Sequence, residues 1–188
     1  MHVARPSSLE EYASWYLQRE SRKANAAAAQ IRDSPVATLR TLHAGKVRPW
    51  FDRATRWQIV EMDPADLGRL VFLESPWTTC EQLVVPDGPN YRLLRRVARN
   101  AIRGAYLSRP AASRHQTYYD QLAAGRLKLS GADRIAICSA GASEVSTNPE
   151  AGYYLLDGVG RCLPYMILIA ERRPVPRLVE AFLAERIP

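Results

Sequence analysis

Three cysteines in 188 residues, Cys80, Cys138 and Cys162, are too few, too scattered and odd in number to form a disulfide framework. They also lack metal-ligand spacing, and the three histidines, His2, His43 and His115, are just as dispersed. With no HxH, HExxH or CxxC pair in the chain, a zinc site made from Cys and His is not expected. Long apolar runs are missing too. Residues 163–170 are apolar but stop at Glu171, far short of a bilayer span, so they read as a buried helix and no membrane partner is expected. The opening Met1-His2-Val3-Ala4-Arg5-Pro6 has no apolar core of a secretion signal, which makes a cytoplasmic protein the expectation.

Acidic charge is the other shortage: 19 Asp and Glu face 26 Lys and Arg, for a net charge of +7. The excess is local. Residues 89–134 hold ten Lys and Arg against Asp120 and Asp133, a surplus of +8 that leaves the rest of the chain near neutral. A concentrated surplus of this kind attracts an anionic partner, be it a nucleotide, a polynucleotide or an acidic protein. Composition is otherwise that of a globular protein, at 47% hydrophobic and 24% charged residues, and the length suits one domain with a small extension.

Ser8 with Glu11 three residues on has capping-box spacing and predicts a helix to about Arg32. Ser34-Pro35 starts a second, over 35–44, that Gly45 ends. Residues 1–49 thus read as a helical arm, and 50–188 as a mixed domain. There, 57–62 alternate as a half-buried strand, Asp63-Pro64 opens a helix to about Phe72, and 81–85 read as a strand closed by Pro86-Asp87-Gly88-Pro89. A long helix is predicted over 90–107 and another from Pro110 to Gly125. Strands follow at 134–138 and 153–156, with a small-residue loop between them, then a helix, and after Pro174 and Pro176 a C-terminal helix ending near Arg186. Strands and helices in irregular alternation indicate an α+β fold.

Two features carry the chemistry. Arg92, Arg96, Arg99 and Arg103 follow helical spacing and predict one exposed anion-binding face, opposite Leu93, Leu94, Val97, Ala101 and Ile102; a plain solvated face is the alternative. No helix-turn-helix or zinc-finger pattern accompanies it, and only Tyr91 and Tyr106 are near enough to stack on bases. The second feature is Asp157-Gly158-Val159-Gly160-Arg161, where a strand breaks straight into a helix. Unpaired N–H groups at the helix start, glycines that admit a close ligand, and the Arg161 fork suit a phosphate. Equally, Asp157 caps the helix and the glycines permit the turn. Arg161 stands at the positive end of the helix dipole, a conflict removed by a bound anion or by a carboxylate, of which Asp157 is the nearest. Of lesser weight, His115 and Tyr119 form an i, i+4 pair able to line a pocket, and Cys162 is either an activated thiol or, preferably, a small buried residue.

The run Tyr153-Tyr154-Leu155-Leu156-Asp157-Gly158-Val159-Gly160-Arg161 resembles the signature of the ParB/sulfiredoxin superfamily, with Asp157, Gly158 and Arg161 in place and Gly160 where the usual His stands. The likeness extends loosely over residues 57–173. Val159 occupies the position of the sulfiredoxin cysteine, which argues against peroxiredoxin repair. The resemblance implies a ParB/sulfiredoxin-like domain that binds a nucleotide, with ATP, ADP and CTP not distinguished and Mg²⁺ as companion ion. It further implies a phosphotransferase or nucleotide hydrolase acting with a small-molecule substrate. Gly158, Val159, Gly160 and Arg161 would hold phosphates, Asp157 and Arg161 would be catalytic, and one of Glu61, Glu74 and Glu81 would supply a second acid. The competing expectation is a non-catalytic protein that binds nucleic acid or an acidic partner through the basic helix 90–107.

Overall fold

A single mixed sheet of six strands runs through the molecule in the order β1-β2-β6-β4-β5-β3. The strands are β1 (His2–Ser7), β2 (Arg56–Met62), β3 (Val71–Phe72), β4 (Ile135–Ser139), β5 (Tyr153–Asp157) and β6 (Val179–Glu185). Among the described residues six α-helices accompany them: α1 (Leu9–Ser21), α2 (Pro35–Leu42), α3 (Pro64–Gly68), α4 (Leu94–Arg103), α5 (Ser113–Ala123) and α6 (Val159–Ala170). The structure, a computed structural model, describes residues 1–21, 34–42, 54–72, 81–86, 91–139 and 152–186. Cys80, Glu74, the loop 140–151 and the expected continuation of the first helix through 22–32 lie outside them. The fold is α+β, as composition and pattern implied.

Four strands, β2, β4, β5 and β6, feed two cores. Alternate residues Val60 and Met62, Ile135 and Ile137, Leu155, and Val179, Ala181 and Leu183 pack under α3–α6. Their neighbours Trp57 and Ile59, Ala136 and Cys138, Tyr154, and Phe182 and Ala184 pack under Tyr12, Trp15 and Leu39 of α1 and α2. The period of two sends successive side chains to opposite faces, so strands covered on both faces read as nearly continuous apolar runs.

β6 is the clearest example and the largest correction. Residues 179–185 were expected in a C-terminal helix; they form an interior strand, antiparallel to β2 and parallel to β4. A short apolar run has no period to separate helix from strand, and here the open ladder positions between β2 and β4 decide. The N-terminal arm is corrected as well. Residues 2–7 pair with β2 in the same sheet, and α1 supplies Tyr12, Trp15 and their stacked contacts to the second core, including Tyr12 on Trp57 at 5.0 Å between ring centroids. Residues 81–83 form a 3-10 turn, not a strand. The caps held: Ser8 Oγ accepts from Glu11 N at 3.1 Å, Ser34 Oγ from Ala37 N at 3.1 Å, and Asp63 from Asp66 N at 2.8 Å.

His115 is the polar member of the buried face of α5. It is buried, with Nδ1 3.1 Å from the Tyr106 hydroxyl, while Tyr119 donates instead to Glu171 at 2.5 Å, so the expected His115–Tyr119 pocket does not form. Burial, helped by the charge of Arg114, pushes the His115 imidazole down to about 4. The unfolded chain takes up a proton near pH 6.5 and the folded one only near 4, so stability falls as pH drops through that window. Urea unfolding of wild type and His115→Gln at several pH values should show a loss on the order of 2 kcal/mol in this window that the variant lacks. Parallel pH profiles would refute it. In the same assay Phe182→Ala should cost about 3–5 kcal/mol, whereas Leu178→Ala, at an exposed position just before β6, should change stability by less than about 0.5 kcal/mol. Equal effects would put residues 178–185 in something other than an interior strand.

Candidate functional site

β5 delivers Asp157 to the edge of the sheet, and Gly158 turns the chain into α6 with φ +101°, a conformation suited to glycine. A Cβ there would lie 2.6 Å from Ile135 Cγ2, and one on Gly160 would lie 3.3 Å from Tyr118 Cε2. The room above both glycines is therefore taken by the protein's own side chains, Ile135 of β4 and Tyr118 of α5. Arg161 N and Cys162 N both donate to the Gly158 carbonyl at 2.9 Å, which leaves Val159 N and Gly160 N as the donors of the first turn without an intrahelical acceptor.

Asp157 joins two arginines. Arg19 of α1 forms an ion pair with its Oδ2, and Arg161 Nη2 stands 3.8 Å from the same oxygen. Arg161 is only 5% exposed and donates from Nη1 to the Asp133 carbonyl at 2.6 Å, with the Asp133 carboxylate 3.7 Å away. The conflict between its charge and the helix dipole is thus resolved by carboxylates, one of the two outcomes the sequence left open. Arg19 lies over Trp15 at 4.7 Å and Tyr16 at 5.5 Å. Burial opposes its charge, but Asp157 and then Glu20 outweigh that and hold the guanidinium above its ordinary value. Neither Arg19 nor Asp133 could be picked from the sequence, since nothing local to either marks a partner more than twenty residues away.

Of the three candidates for a second acid, only Glu61 has a described side chain. Glu61 lies in β2 opposite His2, Glu74 is outside the described residues, and nothing is described of the Glu81 side chain. Among the described residues no three His, Cys, Asp or Glu side chains converge as a metal needs. Since Asp157 is already held between two guanidiniums, the residues present do not fit Mg²⁺ at this turn. Cys138 and Cys162 are free and buried, and burial pushes both thiols up to about 12, so Cys162 is a core residue and not an activated thiol.

The basic helix is displaced from its expected register. Leu93 bridges Val71 and Leu94 N donates to the Leu70 carbonyl at 2.9 Å, so Leu93, after a turn at Tyr91-Arg92, is extended and α4 begins at Leu94. Arg92, expected on the exposed face, is therefore buried at 8% exposure, and Arg96 is half-buried. The outward row is Arg95, Arg99 and Arg103, at i, i+4 and i+8, with Ile102 exposed beside it. Arg95 was missed because Arg92, which precedes the helix, was counted as a member of the row; with it removed, Arg95, Arg99 and Arg103 are the i, i+4, i+8 series. These three arginines and Met166, Ile169 and Ala170 of α6 line a groove of about 350 Å³. None of the three has an ion-pair partner among the described residues, and no acid lines the groove.

No family model matches this chain, and neither a curated protein nor a solved structure matches it.

Neutralising Asp157 while keeping its shape tests its place between the arginines. Asp157→Asn should destabilise by roughly 2–3 kcal/mol, somewhat below a fully buried pair because Glu20 and the Asp133 carbonyl remain. Gly158→Ala should also destabilise, through both its backbone angle and the Ile135 contact. Urea unfolding of the two variants checks this. A wild-type midpoint for Asp157→Asn would mean that the carboxylate is not what holds Arg19 and Arg161.

Proposed function

We propose that this chain binds nucleic acid, gripping the phosphate backbone in the groove between α4 and α6. The observation that carries the reading is the row Arg95, Arg99 and Arg103: three exposed guanidiniums on one face, sharing a groove without an acid in its lining. Successive members are about 6 Å apart along the helix axis, four residues at 1.5 Å each, so the row offers a regularly spaced series of forks to a chain of phosphates. Arginine suits this role because its planar fork takes two phosphate oxygens at once and is less strongly hydrated than an ammonium. A cationic row with no ion-pair partner among the described residues, inside a chain of net charge +7, also draws a polyanion from a distance.

A nucleotide held at the Asp157–Arg161 turn, as the ParB/sulfiredoxin resemblance implies, is the second reading. It is favoured by one observation: α6 has no side-chain cap, so Val159 N and Gly160 N stay available to an anion. Two features weigh against it, the commitment of Arg161 to Asp133 and Asp157, and the side chains packed over both glycines.

Fluorescence anisotropy with a labelled single-stranded oligonucleotide separates the two. Replacing Arg95, Arg99 and Arg103 together with Gln should leave the fold intact and weaken binding on the order of 10²-fold or more. The slope of log affinity against log salt, measured between about 50 and 200 mM, should become shallower by about 2. Binding of the triple variant equal to wild type, or no oligonucleotide binding by either, sinks the groove. Thermal stabilisation by ATP, ADP or CTP that the triple variant retains would favour the turn instead.

A further inference from the structure

The groove between α4 and α6 is lined by two unlike kinds of surface. Arg95, Arg99 and Arg103 supply the charge, while Ile102 of α4 and Met166, Ile169 and Ala170 of α6 supply apolar surface beside them. Ile102 is 39% exposed, Ile169 is half-buried and Ala170 is exposed, so this apolar surface is open to water and not sealed in the core. Met166 is the buried member of the set. Helix α3 backs it: a Cβ on Gly68 would lie 3.3 Å from Met166 Cε and 3.4 Å from Arg95 Cβ, so the Met166 methyl and the stem of Arg95 both pack against the same stretch of backbone. A charged and an apolar member of the lining are thereby held next to each other.

We infer that the ligand of this groove is single-stranded nucleic acid, held by its phosphates on the arginine row and by the faces of its bases on Ile102, Met166 and Ile169. This rests on the reading of the groove as a phosphate-binding site and adds which form of nucleic acid it takes. A ligand that fills the groove must offer negative charge and apolar surface side by side. A single strand does so, because its bases are free to leave the stack and lie against a protein surface, and arginine planes add to that contact. A duplex turns the faces of its bases inward, so it could reach the arginines but would leave the apolar lining without an apolar partner. Covering that lining is favourable in proportion to the area removed from water. Charge by itself works the other way. The denser phosphates of a duplex release more counterions per contact than those of a single strand, so an arginine row acting alone would favour the duplex. A preference for the single strand therefore reports on the apolar lining and not on the guanidiniums.

The test is anisotropy of the purified full chain with a labelled DNA strand of mixed sequence, about 16 nucleotides long, and with the duplex it forms with its complement, at matched salt. Wild type should bind the single strand about tenfold more tightly than the duplex. Ile102→Ser takes away an exposed apolar side chain and no charge, so it should keep the salt slope of single-strand binding while the preference falls to about twofold or less. Ile102→Met, which restores apolar bulk, should keep the preference, and this separates lost contact from any loss of stability in the serine variant. Equal or tighter binding of the duplex by wild type, a preference that survives in Ile102→Ser, or one that is lost in Ile102→Met overturns the single-strand inference and leaves the groove standing. Failure of wild type to bind either form overturns the groove and the inference together.

Discussion

The carboxylate of Asp157 is the point at which the two halves of this structure are held to each other. It sits where β5 ends and α6 begins, and it faces Arg19 from the helix covering one side of the sheet and Arg161 from the helix covering the other. Both guanidiniums are largely removed from water, so each needs a negative partner to remain charged at a tolerable cost. One carboxylate serves both. This fixes the end of α1 over the strand-to-helix turn and sets the start of α6, which in turn forms one wall of the α4–α6 groove. Gly158 is required because Ile135 closes over it and its backbone angle is left-handed, while Tyr118 packs tightly against Gly160.

The opposite arrangement governs α4. Arg161 and Arg19 are buried and matched, whereas Arg95, Arg99 and Arg103 are exposed and have no ion-pair partner among the described residues. A structural arginine is desolvated, and its geometry is fixed by acceptors of the same chain. An arginine available to a ligand keeps its hydration until the ligand arrives and has no internal acceptor to give up. By that criterion the same residue type stands in two settings in one molecule, matched from within around Asp157 and open to water along α4. The groove owes its apolar floor to Met166 and Ile169 of α6, so a bound chain would meet both charge and apolar surface.

Much of the fold was legible where the signal is local. Ser8, Ser34 and Asp63 announce their helices because a side-chain oxygen satisfying a backbone N–H is a matter of two or three residues. The strands at 57–62, 135–139 and 153–157 were legible from β-branched and aromatic residues bounded by turn formers. The turn at Gly158 was legible too, since Asp-Gly between an apolar strand and an apolar helix leaves few other conformations. What escaped was everything set by distant partners: residues 2–7 are a strand only because β2 presents an open edge, and 179–185 only because β2 and β4 leave a place between them.

By itself, then, the sequence determined an α+β chain with a concentrated positive segment, buried unpaired cysteines at 138 and 162, and a glycine turn ahead of a mostly apolar helix. These follow from composition, capping and short-range sterics, which do not depend on what lies across the fold. Only the tertiary structure decided which arginines face water. The Val71–Leu93 bridge starts α4 at Leu94, so Arg92 lies ahead of the helix and is buried while Arg95 joins Arg99 and Arg103 on the outward face. It also decided that Arg161 is matched from within, by carboxylates contributed from elsewhere in the chain. Charge can be counted along a sequence, but whether a charge is neutralised depends on distances in space, and those exist only once the sheet has brought α1, β5 and α6 together.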